Sequence, residues 1–443
     1  MTYLPGETSE DHAMPIADLS NRYALANELH ARPFPKLDAP CRAAFLAIKP
    51  EHGAPARDKQ KDLDHLIALL DRHGAPHPQP GATHYFGQIG KHHLKWESHT
   101  EFVTYTLFGD GVADTPFDAA TFGLFSEDWL AEAPGVRVTS ALIRIEVEED
   151  ETTITRKLED WFVPESLAVS RILDDSAVIA GDFRIDPAGH MRLAVFAARD
   201  TGAQRTGRIV QRLCEIETYK TMSMLGLAKV RAIGPKLGAL EAQLTDLVTG
   251  MAEDERTTDA HESTLKSLLA VSADLESLVA QTSFRFGATG AYEAIVDQRI
   301  EVLREERFTG RQTFREFMMR RFDPAMRTVK STEARMHQLS TRAERAGNLL
   351  RTRVEVERSA QNQSLLESMN RRADLQLRLQ RTVEGLSIVA ISYYAVSLAG
   401  YLLYPLGEAT GLSKGWVTAF AAPPIVFLVW LMIRRLRREL VPD

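Results

Sequence analysis

Short apolar runs separated by polar turns dominate residues 1–203. Runs rich in β-branched and aromatic residues predict strands, and apolar residues three or four apart predict helices. The predicted strands are 41–48, 83–90 and 93–108, followed by two hairpins that join 136–149 to 152–158 and 177–185 to 191–198. Helices are predicted over 15–30 and 59–74. Residues 1–203 are therefore expected to form an α+β domain around a mixed sheet.

Helical patterns replace the strand patterns after residue 203 and predict a helical domain over 204–322. Its predicted helices are 206–250, interrupted at Gly234 and Pro235, then 259–283, 291–307 and 312–321.

A long helix is predicted from Asp323, an N-cap residue type, followed by Pro324 at the first helical position. No proline occurs again until Pro405. Residues 323–385 are predicted to form a stalk helix that continues into an apolar segment, and ~80 residues at 1.5 Å each would make a rod of roughly 120 Å.

Apolar residues recur along this stalk at intervals of three, four or seven, which predicts a coiled-coil seam. Its first part is Val329, Met336, Leu339, Ala343, Ala346, Leu350 and Val354, and its second part is Leu365, Met369, Leu375, Leu379, Val383 and Leu386. The polar residues Gln361 and Asn362 lie between the two parts. They suit partner helices from other copies, a hydrated axial channel, or a locally polar face.

Two charge-free stretches, 386–406 and 416–433, are each about as long as a helix that crosses a bilayer, which takes about 20 residues. Basic residues flank the pair: Arg371, Arg372, Arg378 and Arg381 before it, and Arg434, Arg435, Arg437 and Arg438 after it. Lys414 is the only basic residue in the connection 407–415, so both basic flanks are expected to stay inside. The sequence thus predicts a two-span membrane protein with a cytoplasmic body, a short outer loop 407–415 and a basic cytoplasmic tail 434–443.

Charge divides the chain unevenly. Up to Ala203 there are 19 Lys and Arg against 32 Asp and Glu, and from Gln204 onwards 34 against 28, which together give the net charge of −7. In the second half Arg alternates with Glu along helical sequence and no aromatic stacking positions lie between them, which disfavours nucleic acid as a partner. The two cysteines, Cys41 and Cys214, have no metal-ligand spacing and suggest a reducing compartment. The acidic N-terminus lacks the pattern of a signal peptide, so no export of the first half is expected.

Histidine provides the densest group of reactive side chains. Six lie between His73 and His99, namely His73, His77, His84, His92, His93 and His99. Because they lack the spacing of a zinc site, loop and sheet-surface positions explain them better than metal ligation, and the metal assignment stays unknown. The acidic run Glu146, Glu148, Glu149, Asp150 and Glu151 could hold a divalent cation loosely, but a solvated hairpin tip explains it better. No hydrolase, P-loop or dinucleotide motif is present, so neither a cofactor nor a small-molecule substrate is predicted.

Two further groups are candidates for binding. Glu28, His30 and Arg32 lie in NELHARPFP, where a helix is expected to end at Pro33. Tyr393, Ser397, Tyr401 and Tyr404 share one face of the first span, and Glu408 follows in the outer loop. Lipid satisfies no hydroxyl group, so that face is expected to meet a partner helix or water.

The stretches NELHARPFP, KWESHTEFVTYTLF and QNQSLLESMNRRADLQLRLQRTVEGLSIVAISYY resemble a bacterial membrane-anchored family, domain of unknown function family 3422. The likeness covers nearly the whole chain and implies no activity. It implies the bacterial inner membrane as the location of the two spans. The architecture also resembles the CorA-type magnesium channels, which are pentamers. Those channels carry Gly-Met-Asn after the first span, where this chain reads PLGEATG.

The sequence favours a non-enzymatic, homo-oligomeric membrane protein that acts as a scaffold, sensor or regulator. A CorA-like divalent cation channel is the first alternative, with a pentamer and a path lined by the hydroxyl face. A metal-dependent enzyme that uses the histidines is the second.

Overall fold

The computed structural model describes residue 16 and residues 18–28, 34–51, 57–251, 258–410 and 413–440. The chain divides into two compact units. The first comprises Met1–Asp246 and Leu269–Glu344, and the second Leu247–Leu268 and Arg345–Asp443.

Among the described residues, nine strands form one sheet. The strands are β1 Cys41–Lys49, β2 His84–Ile89, β3 His92–Ser98, β4 Val103–Asp110, β5 Val136–Val147, β6 Ala168–Ile172, β7 Ala177–Ile185, β8 Met191–Ala197 and β9 Glu306–Arg307. Their order across the sheet is β2-β3-β4-β1-β5-β8-β7-β6-β9. Every pair is antiparallel except β5 and β8, which are parallel and join two antiparallel halves. This confirms the prediction of a mixed α+β fold.

The helices are α1 Arg22–Glu28, α2 Lys59–Arg72, α3 Glu127–Ala131, α4 Glu151–Trp161, α5 Ala203–Gly250, α6 Thr258–Glu301, α7 Phe314–Arg321, α8 Asp323–Thr410 and α9 Lys414–Leu440. A short 3₁₀ helix covers Ala119–Phe122. The helix predicted over 15–30 is shorter within the described residues, because residues 18–21 precede α1 without helical structure.

Two strand predictions were wrong. Residues 93–108 form the hairpin β3–β4 and not one strand, because the chain turns at residues 99–102. Residues 152–158, predicted as a strand, lie in α4. Asp150 caps this helix by accepting a hydrogen bond from the Thr153 backbone N–H, and Ile154 and Leu158, four residues apart, bury one face. The predicted hairpin 177–185/191–198 is confirmed as β7 and β8.

Helices cover both faces of the sheet. One face packs against α5, α6 and α7 through buried residues such as Ile209, Val296 and Phe314. The other face packs against α2 and α3 over one half, with Leu66 and Trp129 in the core. Over the other half it packs against α4. Because β1 is paired on both edges and covered on both faces, it reads as a nearly continuous apolar run.

Two predicted helix breaks are absent. Helix α5 continues through Gly234 and Pro235, where the buried residues Ile233 and Leu237 flank the proline. Helix α6 joins the predicted helix 259–283 and the first part of the predicted helix 291–307 into one, with Phe286 buried at the expected break. The last part of the predicted helix 291–307 was wrong, because α6 ends at Glu301 and residues 306–307 form β9. Packing of a regular apolar face overrides the local preference of glycine and proline here.

The first part of the predicted seam in α8 is buried within a single chain. Val329, Met336, Leu339 and Ala343 are buried in the first unit. Ala346, Leu350 and Val354 are buried in the second unit, where α6 lies alongside α8 and Arg358 pairs with Glu262. This part of the seam therefore needs no second copy.

Candidate functional site: the exposed C-terminal helices and the sheet cleft

The end of α8 and residues 414–435 of α9 form a large exposed apolar surface. Both helices contain a stretch long and apolar enough to cross a membrane, and only 6% and 11% of those stretches are buried. Large apolar side chains such as Leu398, Leu402 and Leu428 are 65%, 72% and 64% exposed. A soluble core helix would bury such residues, because exposed apolar area is unfavourable in water.

The predicted hydroxyl face is only partly covered by the rest of its own chain. Tyr393 and Tyr401 are 69% and 74% exposed, and Ser397 is half-buried. Tyr404 and Glu408 lie in the backbone of α8, and their side chains lie outside what the structure describes. Helix α9 approaches α8 at Gly400, where an added Cβ would lie 3.9 Å from the Thr418 hydroxyl oxygen.

Gln361 and Asn362 are exposed on α8. They lie beyond Arg358, in a segment whose residues from 358 to 383 are all exposed. The structure therefore places these amides on the same helix as the hydroxyl face, between the buried bundle and the apolar stretch.

A cleft opens between the sheet and α5. Its sheet side is formed by β1, β3 and β4, and the aromatic side chains that line it are Phe45, His99, Phe102, Phe108 and Tyr219. Cys214 also lines the cleft, but burial raises the pKa of its thiol, so the reactive thiolate is disfavoured.

The charged residues of the cleft hold one another in a chain of contacts. Lys95 Nζ lies 3.2 Å from Glu97 Oε1 and donates to Gln211 Oε1 at 2.7 Å. Gln211 in turn donates to Glu215 at 2.8 Å, and the second Glu215 oxygen accepts from Arg299. These contacts among five side chains tie β3 to α5 and α6.

A second polar cluster joins the β3–β4 turn to α6. Glu101 is 1% exposed and forms an ion pair with Arg285. Tyr292 donates a hydrogen bond to Glu101 Oε1 at 2.9 Å, and burial raises the pKa of this tyrosine. Removing one partner of such a buried pair leaves an uncompensated charge, so the cluster fixes the turn against the helix.

A second buried ion pair lies at the start of α2. Arg57 Nη1 is 2.8 Å from Asp62 Oδ2, and both side chains are 3% exposed. Arg57 also donates to Ser98 Oγ at 2.9 Å and to the His99 carbonyl at 2.5 Å. Burial raises the pKa of Asp62 to about 6 even though Arg57 opposes the shift. Sequence analysis missed both buried pairs, because their partners lie far apart in the chain or look like ordinary surface charges.

The six clustered histidines do not converge. His77 contacts Asp71 at 2.5 Å, His93 stacks on Phe86, and His99 stacks on Phe102. Within the described ranges, no group of three or more His, Cys, Asp or Glu side chains could hold a metal ion.

The sequence suggested that the acidic run at the end of β5 forms a hairpin tip, and this prediction was wrong. The run connects β5 to α4, and Glu146 is nearly buried between Arg144 at 2.6 Å and Lys157 at 2.7 Å. Lys157 also contacts Glu148 at 3.1 Å. These ion pairs occupy the carboxylates that a cation would need.

One serine–histidine contact resembles a catalytic pair. Ser140 Oγ and His190 Nδ1 are 2.9 Å apart. Both residues are buried, His190 stacks on Phe122, and burial lowers the pKa of the imidazole. The Asp186 carboxylate accepts from the backbone N–H of His190 and not from its ring. Without an orienting carboxylate or an open face for a substrate, the pair stabilises the core.

The predicted binding residues near the N-terminus lie at the edge of the described structure or outside it, so they stay a prediction. Glu28 ends α1, with its side chain outside what is described, and His30 and Arg32 lie outside the described residues.

The fold and the exposed helices define an α+β protein with a nine-stranded sheet, long helices and two apolar C-terminal helices. The chain belongs to the family described as "Protein of unknown function (DUF3422)", whose model matches residues 17–440. This confirms the family resemblance seen in the sequence. No curated protein matches the chain.

Proposed function

We propose that this protein is a non-enzymatic, membrane-anchored protein. Its C-terminal helices cross the bacterial inner membrane twice and hold the α+β body on the cytoplasmic side, where it acts as a scaffold, sensor or regulator. The observation that carries this proposal is the exposure of two charge-free helical stretches, of which only 6% and 11% are buried. A bilayer is the solvent in which such exposure is favourable.

The basic flanks support the proposed orientation. Arg residues precede the first stretch, and Arg434 and Arg435 follow the second. The connection between the stretches has Lys414 as its only basic residue. Positively charged residues stay on the cytoplasmic side during insertion, so both termini would be cytoplasmic.

The absence of enzymatic activity is part of the proposal, and the paired polar groups support it. Lys95 and Glu215 in the cleft, Glu101 at the β3–β4 turn and His190 in the core are all engaged by neighbouring groups. A catalytic site needs a group that is free to exchange a proton or attack a substrate.

Carbonate washing and flotation of membranes test the anchoring. The full chain is expected to stay with the membrane. Leu398→Arg combined with Leu428→Arg is expected to weaken insertion, because each arginine costs about 2.5–3.5 kcal/mol at the centre of a span. Leu349→Arg combined with Val356→Arg is the matched control, since these residues are 70% and 64% exposed but lie outside the spans. Release of the unmodified chain by carbonate would contradict the proposal.

A second candidate is a CorA-like channel for divalent cations. The exposure of Tyr393 and Tyr401 favours it, because hydroxyl groups on an uncovered face of a span could line a path shared by several copies. Flux of Mg²⁺ into proteoliposomes separates this candidate from the anchor.

A further inference from the structure

An apolar stripe runs along the part of α8 that precedes the first proposed span. We call it the stalk stripe; it consists of Leu365, Leu366, Met369, Ala373, Leu375, Leu379, Val383 and Leu386. All eight are exposed, and the seven large side chains are 54–67% exposed. Exposed apolar side chains repeated over this length mark an interaction surface.

The charges of this segment lie on the other side of the helix. At 3.6 residues per turn, Glu367, Arg371, Asp374, Arg378 and Arg381 project away from the stalk stripe. There are two exceptions: Arg372 projects between Met369 and Leu379, and Glu384 projects on the side of Leu366 at the edge of the stripe. Such segregation is typical of a helix that buries one face against other helices.

The described remainder of the chain does not cover the stalk stripe. In the second unit α6 reaches α8 at His261, which contacts Glu357 at 3.0 Å, and at Glu262, which pairs with Arg358. From 358 to 383 every residue of α8 is exposed. The seven residues between Gly250, where α5 ends, and Thr258, where α6 begins, are too few to cover a stripe of about 33 Å, at 1.5 Å per residue.

The bilayer is also unsuitable as the covering surface. Five charges on the opposite side, including Arg371 and Asp374, would enter the hydrocarbon if this segment were inserted. The segment cannot lie flat on the membrane either, because α8 is one unbroken helix that continues into the proposed span.

The hydroxyl face provides an independent observation. Val383, Ala390 and Ser397 are spaced by heptads, as are Leu379, Leu386 and Tyr393, so the hydroxyl face continues the stalk stripe on the same side of α8. These hydroxyl groups find no partner in lipid. A surface that is apolar in the cytoplasm and hydroxyl-bearing in the membrane fits a protein inserted at the same depth and in the same direction.

We infer that this surface is covered by further copies of the same chain, packed in parallel around the α8 helices from residue 361 to residue 401. The inference rests on the proposed membrane anchoring, which sets all copies to one height and direction. Equivalent residues of neighbouring copies then meet without a shift in register. The residues that would flank the seam between copies, such as Ser368, Gln380 and Thr382, are uncharged, so like charges do not oppose one another there.

The width of the stalk stripe sets the number of copies. A dimer buries only two positions in each heptad, whereas Leu366, Ala373 and Leu375 widen the surface beyond the line through Leu365 and Leu379. Each helix therefore contacts two neighbours, and the assembly contains at least three copies.

Cysteine cross-linking of the full chain in membranes tests the inference. Cys41 and Cys214 are buried, so introduced thiols are the ones expected to react. Leu379→Cys lies on the stalk stripe, and its neighbour Arg378→Cys lies on the charged side as the matched control. With a short bismaleimide, Leu379→Cys is expected to give a product of twice the chain mass, and Arg378→Cys at most a tenth as much. Pairing Leu379→Cys with Val383→Cys in one chain should extend the product to a ladder of three or more chains.

Other outcomes would overturn the inference. These are no cross-linked product from Leu379→Cys, equal products from both positions, or a product that contains a different protein. Carbonate washing of the same membranes shows whether the anchoring itself fails. A chain that resists carbonate but does not cross-link refutes only the self-association, whereas a chain released by carbonate refutes the anchor.

Discussion

Leu379 and Tyr393 lie two heptads apart on the unbroken helix α8, and their side chains are 66% and 69% exposed. Because seven residues make almost two full turns, the leucine of the stalk and the tyrosine of the proposed span project from the same side. Neither is covered by the described part of its own chain. This shared side is the surface that we assign to contacts between copies.

Arg372 gives the first prediction, because its charged side chain projects from the centre of the stalk stripe, between Met369 and Leu379. A cation buried between copies costs stability, and an apolar residue of similar length removes that cost. Arg372→Leu is therefore expected to raise the detergent concentration at which the assembly dissociates. Arg371→Leu, on the charged side, is expected to leave it unchanged. Mass photometry of the purified chain over a detergent series measures both, and an Arg372→Leu assembly that dissociates at or below the unmodified concentration would argue against burial of this side chain.

The start of α5 gives a prediction for stability. A Cβ added at Gly207 would lie 1.7 Å from the Pro35 carbonyl oxygen, so Gly207→Ala forces the backbone of one segment to move. We expect a loss of about 3 kcal/mol, at the upper end of overpacking effects. Gly238 in the same helix has open space around its Cβ position, and Gly238→Ala should stabilise the chain by ~0.5–1 kcal/mol through helix propensity. Thermal unfolding followed by near-ultraviolet circular dichroism compares the two, and equal midpoints would refute the close approach.

His65 predicts a pH dependence of stability. Its two ring nitrogens lie 3.0 Å from the Tyr105 hydroxyl and 3.0 Å from the Trp129 carbonyl, and burial lowers its pKa. The folded pKa lies below the unfolded value of about 6.5, so the unfolded chain binds the proton more readily as the pH falls. The stability from neutral His65 is present above pH 6.5 and is lost as the pH falls towards the folded pKa. His65→Gln should therefore lose less thermal stability than the unmodified chain between pH 7 and pH 5. A steeper loss of thermal stability in His65→Gln than in the unmodified chain over this pH range would contradict the prediction.

Ion flux separates the two proposed functions. Proteoliposomes loaded with a fluorescent indicator are expected to take up Mg²⁺, Co²⁺, Ni²⁺ and Zn²⁺ no faster than protein-free liposomes. The chain reads PLGEATG where the channels carry their Gly-Met-Asn motif. If the protein conducts these ions and Tyr393→Phe or Tyr401→Phe reduces the flux, the channel proposal would be supported and the proposal of a non-conducting anchor would be wrong.

The sequence predicted elements well where one face is buried and the period is regular. Helix α2 and strand β1 occur where their patterns indicated. The strand prediction for residues 152–158 rested on the strand preference of threonine and isoleucine. It was wrong because Asp150 caps a helix whose Ile154 and Leu158 reach the core. The predicted helix break at Pro235 is absent because neighbouring apolar residues hold α5 in the bundle.

The polar clusters were beyond prediction for a different reason. Glu101 pairs with Arg285 across nearly half of the chain, and nothing local distinguishes either residue from a surface charge. The stalk was predictable as a helix, but the two parts of its seam look alike in sequence. Only the structure separates Leu350, buried by its own chain, from Leu379, which is exposed.

Topology is the most direct test of the central claim that the chain crosses the membrane twice with its body inside. Ser413→Cys lies in the proposed outer connection and Glu165→Cys in the α+β body, and both positions are exposed. The native cysteines are buried, and burial raises the pKa of Cys41 to about 12, so they should remain unlabelled. In intact spheroplasts, a membrane-impermeant maleimide is predicted to label Ser413→Cys at once and Glu165→Cys only after lysis. Labelling of Glu165→Cys before lysis, or of Ser413→Cys only after it, would contradict the account.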